Sequence, residues 1–314
     1  MPMKCQIKWD TYTRTEWNDL LRKCPHSTLL QSYYYAQAIR EVHFQGARHG
    51  LIIIDGVEAG IVQTQEVGLF GNLIHSIICD RGPCWFEGFG REEHINAFFQ
   101  CINTEFPARF GRKRRFMLEY CGDKGIPPPK KLKKNDKFTS YKTFFVDLSQ
   151  NIENINKNFK KSWRRNLYKS QKIEININID EKLSTFSMFS RFYAQDRIQK
   201  GYSGPSSKFL ASLCKYATLS NDCMILNAYL DDEIIGSILI LTHGNCATYQ
   251  VGWNTPQGRD KCAHHLLFWH AIQYLKKKGI QEFDLGGYND DIDGIRRFKE
   301  GMGGHAIALI GSYI

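Results

Sequence analysis

Residues 51–63 read LIIIDGVEAGIVQ, and residues 227–239 read NAYLDDEIIGSIL. In the first, an apolar run, an acidic turn, a glycine and a second apolar run follow one another. The second repeats that order at a constant offset, with Asp55 over Asp231 and Gly60 over Gly236. Each reads as strand–turn–strand, because Asp and Gly accept the dihedrals that a tight hairpin turn demands. Working outward, residues 94–110 (HINAFFQCINTEFPARF) put Ile95, Phe98, Phe99, Ile102 and Phe106 at helical spacing, and a basic run then leads into a strand at 116–121 (FMLEYC). In the second half, Ala263, Leu266, Leu267, Ala271, Tyr274 and Leu275 share one helical face over 263–278. Lys276, Lys277 and Lys278 suit the negative end of that helix, and Gly279 the position just past it. A strand at 282–288 (EFDLGGY) follows. Both halves therefore read hairpin, further strand, helix, strand, which predicts a duplicated α/β unit: two tandem domains, each a mixed twisted sheet flanked by helices.

Between the halves, GDKGIPPPKKLKKNDKFTSY (122–141) combines three consecutive prolines with dense lysine, the composition of an extended, solvated connector. The boundaries expected are a domain over 1–122, a linker over 123–142 and a second domain over 143–314. Residues 144–148 (FFVDL) read as a strand, and Ser149 or Asn151 is placed to cap one helix carrying Ile155, Phe159 and Trp163. The C-terminal HAIALIGSYI reads as a last strand that returns to either half.

The chain has 314 residues, 42% hydrophobic and 24% charged, the balance of a soluble globular protein with two domains of average size. It has no apolar stretch of bilayer-spanning length, and MPMKCQIKWDTYTRTEW has no signal-peptide core, so a cytoplasmic location is expected. Its ten cysteines show no CxxC pair and its ten histidines no HxxxH or HExxH pattern, so neither a disulfide framework nor a metal centre is expected. Lone cysteines such as Cys121 read as packing residues. The net charge is +10 and clustered: Arg112–Arg115, then Lys130, Lys131, Lys133, Lys134 and Lys137, then Lys157 through Lys172. Such clusters raise the encounter rate with polyanions, nucleic acid and nucleotide-linked substrates among them.

Four segments carry a family resemblance: LLQSYYYAQAIREV (29–42), DRGPCW (80–85), DLSQNIENINKNFKKSWRRNLYKSQK (147–172) and, most specifically, FDLGGYNDDIDGIRRFKEGMGG (283–304). From about residue 29 to about 305 the chain resembles the FemABX group of GNAT-fold transferases. These move an amino acid from aminoacyl-tRNA to an amine, usually on a peptidoglycan precursor. The resemblance implies two GNAT-like domains, the first on the acceptor side and the second on the acyl-donor side. It also implies aminoacyl-tRNA as donor, an amine acceptor that is small or linked to a nucleotide or lipid, and no cofactor.

Onto these positions the resemblance carries a catalytic role for the Phe298–Lys299 segment. A lysine beside a strand end supports the oxyanion of a tetrahedral intermediate or neutralises a terminal phosphate; the bland alternative is a solvated helix lysine among Arg296, Arg297 and Glu300. Gly286 and Gly287 permit close backbone approach. Asp284 reads either as an amine-orienting base or as an acceptor for nearby backbone amides. Aminolysis of an ester is intrinsically easy, so alignment and oxyanion support suffice without a dedicated base. Arg81, in the Arg-Gly-Pro that the family places beside its acceptor, is a candidate phosphate or carboxylate contact, although Asp80 departs from the family pattern there. Tyr33 in the Tyr33–Tyr35 cluster lines that region or packs. Arg164 and Arg165 form a phosphate-binding face or a solvated one, with Trp163 and Tyr168 stacking on a base or buried. Tyr249 and Tyr288 complete the candidate substrate contacts. The rival donor is acyl-CoA, for a GNAT-type N- or O-acyltransferase acting on a polysaccharide or small molecule. Its pyrophosphate cradle uses glycines before the main helix, and at Arg259–His264 both glycine positions are lost, to Cys262 and His264. A fold that kept its shape and lost its chemistry is the third reading.

Overall fold

The computed structural model describes residues 3–119, 132–135, 140–288 and 293–314. Cys121 and most of the basic connector, including Lys130, Lys131 and Lys137, lie outside them. Two compact units emerge: Met1–Lys142 with His243–Asn245 and Ile307–Ile314, and Thr143–Thr242 with Cys246–Ala306.

The first unit runs β1 (Cys5–Asp10), α1 (Arg14–Arg22), α2 (Tyr33–His43), β2 (Gly46–Ile54), β3 (Val57–Leu69), β4 (Ile74–Gly82), β5 (Cys84–Trp85), α3 (Glu92–Glu105) and β6 (Arg112–Leu118). The second runs β7 (Lys142–Asp147), α4 (Ile152–Asn158), α5 (Lys161–Gln171), β8 (Asn176–Asp180), α6 (Phe186–Lys200), α7 (Ser207–Thr218), β9 (Cys223–Leu230), β10 (Glu233–His243), β11 (Cys246–Asn254), α8 (Pro256–Asp260), α9 (Ala263–Lys277), β12 (Glu282–Asp284) and α10 (Asp293–Glu300). The chain closes with β13 (His305–Ala308) and β14 (Ser312–Tyr313). The strand order is β1-β2-β3-β4-β6-β14 in the first sheet, with β5 on β3, and β13-β7-β12-β11-β10-β9-β8 in the second.

The repeat holds in the topology. Each sheet contains a hairpin (β2–β3, β9–β10), a further strand, a helix and a strand that returns parallel to its predecessor (β4 with β6, β11 with β12). The hairpin turns are built alike: Asp55 and Gly56 have φ of 49° and 84°, Asp231 and Asp232 have 49° and 62°. Two successive positive φ angles match the twist of paired strands, and Asp tolerates them better than other side chains do. Apolar faces of both units close over their sheets, with Phe98, Phe99 and Phe116 in one core and Leu226, Leu267, Phe268 and Phe283 in the other.

Several boundaries move from their sequence-based places. The helix expected over 94–110 runs from Glu92 and stops at Glu105, because Phe106 leaves helical geometry ahead of Pro107. The basic run Arg112–Arg115 is itself strand. The single helix expected to carry Ile155, Phe159 and Trp163 is two: Asn151 caps α4, then Phe159 turns extended, and the Lys160 amide donates to the Gly301 carbonyl at 2.8 Å instead of continuing a helix. The C-terminal segment is two strands, β13 in the second sheet and β14 in the first, separated by Gly311 at φ 104°. Of the connector, Lys133 exchanges backbone hydrogen bonds with Ile314, and Asn135 donates to Ser312, so this stretch is paired rather than solvated.

Candidate active site

The second unit gathers its unusual polar groups where β11 and β12 part. Their parallel pairing covers only Cys246–Thr248 against Glu282–Asp284, and β11 then continues beside β10 but without β12 from Tyr249 to Asn254. The chain leaving β12 donates once more, from the Leu285 amide to the Phe144 carbonyl at 2.9 Å, and turns at Gly286 with φ 74°. A Cβ there would lie 2.8 Å from the Tyr249 carbonyl oxygen. Glycine is required twice over, by dihedral and by space. Gly286→Ala is expected to destabilise the protein by at least about 1–2 kcal/mol from the dihedral alone. Chemical denaturation checks this, and a loss below that range would mean that the turn relaxes freely.

Three side chains fasten this turn. Asp284, 3% exposed, accepts from the Gly286 amide at 2.8 Å and from the Thr143 hydroxyl at 2.5 Å. Lys299 on α10 is 5% exposed, and its Nζ donates to the carbonyls of Gly286 and Gly287, both at 2.8 Å. It also lies 5.7 Å from the centre of the Tyr249 ring. Burial lowers the Lys299 pKa to about 8, against a smaller upward pull from Asp284. The solvated-helix reading of Lys299 is thereby overturned. An ammonium has three N–H donors, and the two carbonyls use two of them.

The remaining expected residues fall out as follows. Phe298 is a packing residue: its ring lies 5.0 Å from His265, 5.3 Å from Phe268 and 6.0 Å from Trp163, which fixes α10 and so the depth of Lys299. A phenyl ring has no proton to exchange, so its part is positioning rather than catalysis. Tyr249 packs edge-on against Phe268, and burial, aided by Tyr202, raises its hydroxyl above the ordinary phenol range, keeping it a neutral donor. Tyr288 stacks on Phe144. On α5, Trp163 is buried, Arg164 half-buried, Arg165 exposed and Tyr168 exposed, so the basic face is real while only the tyrosine is open to stacking. In the first unit, Tyr33 stacks on His49, and Tyr34 is buried in the interior. Arg81 is buried, with Nε and Nη2 each 2.7 Å from a different oxygen of Glu119, so its fork holds a carboxylate of its own chain. Asp80 accepts from Arg115 at 2.6 Å.

The stretch before α9 differs from expectation in one respect. Cys262 does adopt the left-handed conformation a glycine would supply, at φ 58°. The His264 ring turns away from it and meets the Trp253 carbonyl at 2.9 Å. Side-chain crowding at position 264 therefore does not arise. Thr143, which sequence reasoning missed, was signalled by a lone polar residue in the apolar run TFFV.

Residues 157–300 match a family model described as an acetyltransferase (GNAT) domain. FemX has the same fold at a TM-score of 0.78 and 14% identity, over 98% of this chain and 96% of that one. The chain has a FemX-like tandem fold, and its second half is similar to a GNAT domain. A conserved protein of unknown function from Bacteroides thetaiotaomicron is also similar, at TM-score 0.64 and 9% identity over 98% of both chains. So is the C-terminal domain of a putative lysylphosphatidylglycerol synthetase from Agrobacterium fabrum, at TM-score 0.50 and 14% identity over 81% and 80%. No curated protein matches in sequence. At these identities the structural likenesses establish the fold alone. Among its described residues no helix is long and apolar enough to cross a membrane.

Proposed function

We propose that this chain is an acyltransferase that moves an amino acid from aminoacyl-tRNA to an amine acceptor. The observation that carries the acyl-transfer reading is Lys299: a buried ammonium held by two carbonyls where β11 and β12 separate. In this reading the acceptor nitrogen attacks the ester carbonyl carbon, and the oxygen takes up negative charge. The third N–H of Lys299 meets that oxyanion, in a setting where burial makes the bond worth more than in water. As the C–O bond breaks, the proton shed by the attacking amine is passed through solvent to the departing oxygen, so tRNA leaves with its free hydroxyl and the new C–N bond remains as an amide. Thr143 and Asp284 act through the turn that orients Lys299. The tRNA donor is supported by the basic face of α5 and the FemABX resemblance; the acceptor is a cell-wall precursor or a small amino-containing metabolite, free or linked to a nucleotide or lipid.

The left-handed backbone at Cys262, ahead of the 15-residue α9, supports a second reading with acyl-CoA as donor, since helix-start amides cradle phosphate. One experiment separates the two. A labelled total aminoacyl-tRNA pool is incubated with small-molecule extract and the protein, with and without RNase, beside a parallel acetyl-CoA reaction. Label in a new product that RNase abolishes is the expected result. Transfer from acetyl-CoA alone would replace the tRNA reading with the CoA one.

A further inference from the structure

The longest strand of the first sheet, β3, and its partner β4 end in a tip that reads EVGLFGNLI from Glu66 to Ile74. Exposed turns usually carry polar residues. Here Phe70 is 81% exposed, and Leu69, Leu73 and Ile74 are each more than half exposed. The turn backbone does not call for this. Phe70, Gly71 and Asn72 all have left-handed φ angles (52°, 62°, 68°), which Gly and Asn adopt readily and Phe does not. Phe70 thus occupies a costly conformation and points a large apolar ring at solvent.

A second loop joins the same patch. Arg109 donates to the backbone carbonyls of Asn72 and Leu73, the His75 amide donates to Gly111 at 2.8 Å, and a Cβ on Gly111 would meet the Leu73 oxygen at 2.3 Å. Between those contacts stands Phe110, 96% exposed. Behind this apolar end comes charge. Residues 107–118 hold Arg109, Arg112, Lys113, Arg114 and Arg115 with no acid, and residues 67–79 hold no acid either. The register places Leu69 opposite Ile74, and Val67 beside Ser76 beside Lys113, so an exposed lysine follows the apolar rows on the same sheet face. Apolar side chains at a protruding tip, backed by cations, match the layering of a bilayer surface: hydrocarbon inside, anionic headgroups outside.

We infer that the β3–β4 tip and the Phe110 loop dock the protein onto anionic lipid, with Phe70, Leu73 and Phe110 entering the headgroup–acyl boundary. A second copy of the chain fits less well, since a two-fold contact through this patch would set its cations against one another. Docking is separate from acyl transfer and needs no turnover.

Co-sedimentation of the full chain with vesicles tests this, using phosphatidylcholine alone and phosphatidylcholine mixed equally with phosphatidylglycerol. Binding to the mixed vesicles that weakens with added salt is expected. A combined Phe70→Asn, Leu73→Ser, Phe110→Ser variant should bind at least about tenfold more weakly, with a thermal midpoint that does not fall, because all three sites are exposed and asparagine suits the left-handed turn better than phenylalanine. Lys113→Glu should weaken binding to the anionic vesicles while leaving the apolar tip intact. Failure of the parent chain to sediment with anionic vesicles would overturn the inference. So would equal binding by the triple variant, or a parent dimer that the triple variant abolishes without any lipid binding.

Discussion

Lys299→Met is expected to reduce acyl transfer by about 10²–10³-fold while leaving the fold close to its parent stability. The activity loss follows from removing the buried ammonium at the strand parting; methionine keeps the side chain's length and apolar stem. The stability expectation comes from the cost of burying the charge. A shift from 10.5 to about 8 corresponds to roughly 3 kcal/mol against the charged form. Methionine escapes that cost but leaves the Gly286 and Gly287 carbonyls without their donor, and the two effects oppose each other. The pH dependence has a definite sign. The folded-state pKa lies below the unfolded one, so the parent gains stability as pH rises from about 8 towards 10.5, and the variant gains none there. Activity moves the other way: oxyanion support needs the protonated amine, so turnover should fall as pH passes about 8. Rate–pH profiles and denaturation at several pH values measure both. Near-parent turnover in the variant, with an unchanged high-pH limb, would remove Lys299 from the chemistry.

Much of this arrangement is legible in the chain itself. The two hairpins announce themselves through Asp55–Gly56 and Asp231–Asp232, because few residues accept consecutive positive φ angles. The α9 helix is readable from its apolar face to Gly279, whose φ is 82°. These are local signals, set by residues within a turn or two of one another. What escapes the sequence is set by distant partners. Phe159 breaks a helix because the next amide finds Gly301, and nothing near Phe159 says so. Lys299 sits among charged neighbours and looks solvated; only carbonyls some dozen residues earlier, turned by Gly286, draw it inside. The family resemblance made Arg81 a candidate ligand contact, and nothing near it in sequence points to Glu119, the carboxylate 38 positions away that its fork meets.

That last pairing carries the second large expectation. Glu119→Gln should destabilise the first unit by about 3–5 kcal/mol near neutral pH, although the substitution barely changes shape. Both side chains are 3% exposed, so the variant removes a buried carboxylate charge from beside the Arg81 guanidinium and the His26 ring. Tyr141, whose ring centre is 4.7 Å from the guanidinium carbon, offers only a weak substitute. The pair also predicts acid sensitivity. Burial by itself would raise the Glu119 carboxyl, yet the charge and hydrogen bonds of Arg81, with help from His26, outweigh it and hold the pKa at about 2. A carboxylate depressed in the folded state contributes stability that is complete above its unfolded value near 4.5 and is lost as pH falls towards 2. The parent should therefore weaken across that window, and Glu119→Gln should show a shallower slope. Denaturant midpoints measured from neutral pH downwards give both quantities. A loss below about 1 kcal/mol, typical of exposed pairs, would mean that water reaches Arg81, reopening it as a contact for an acceptor's phosphate or carboxylate.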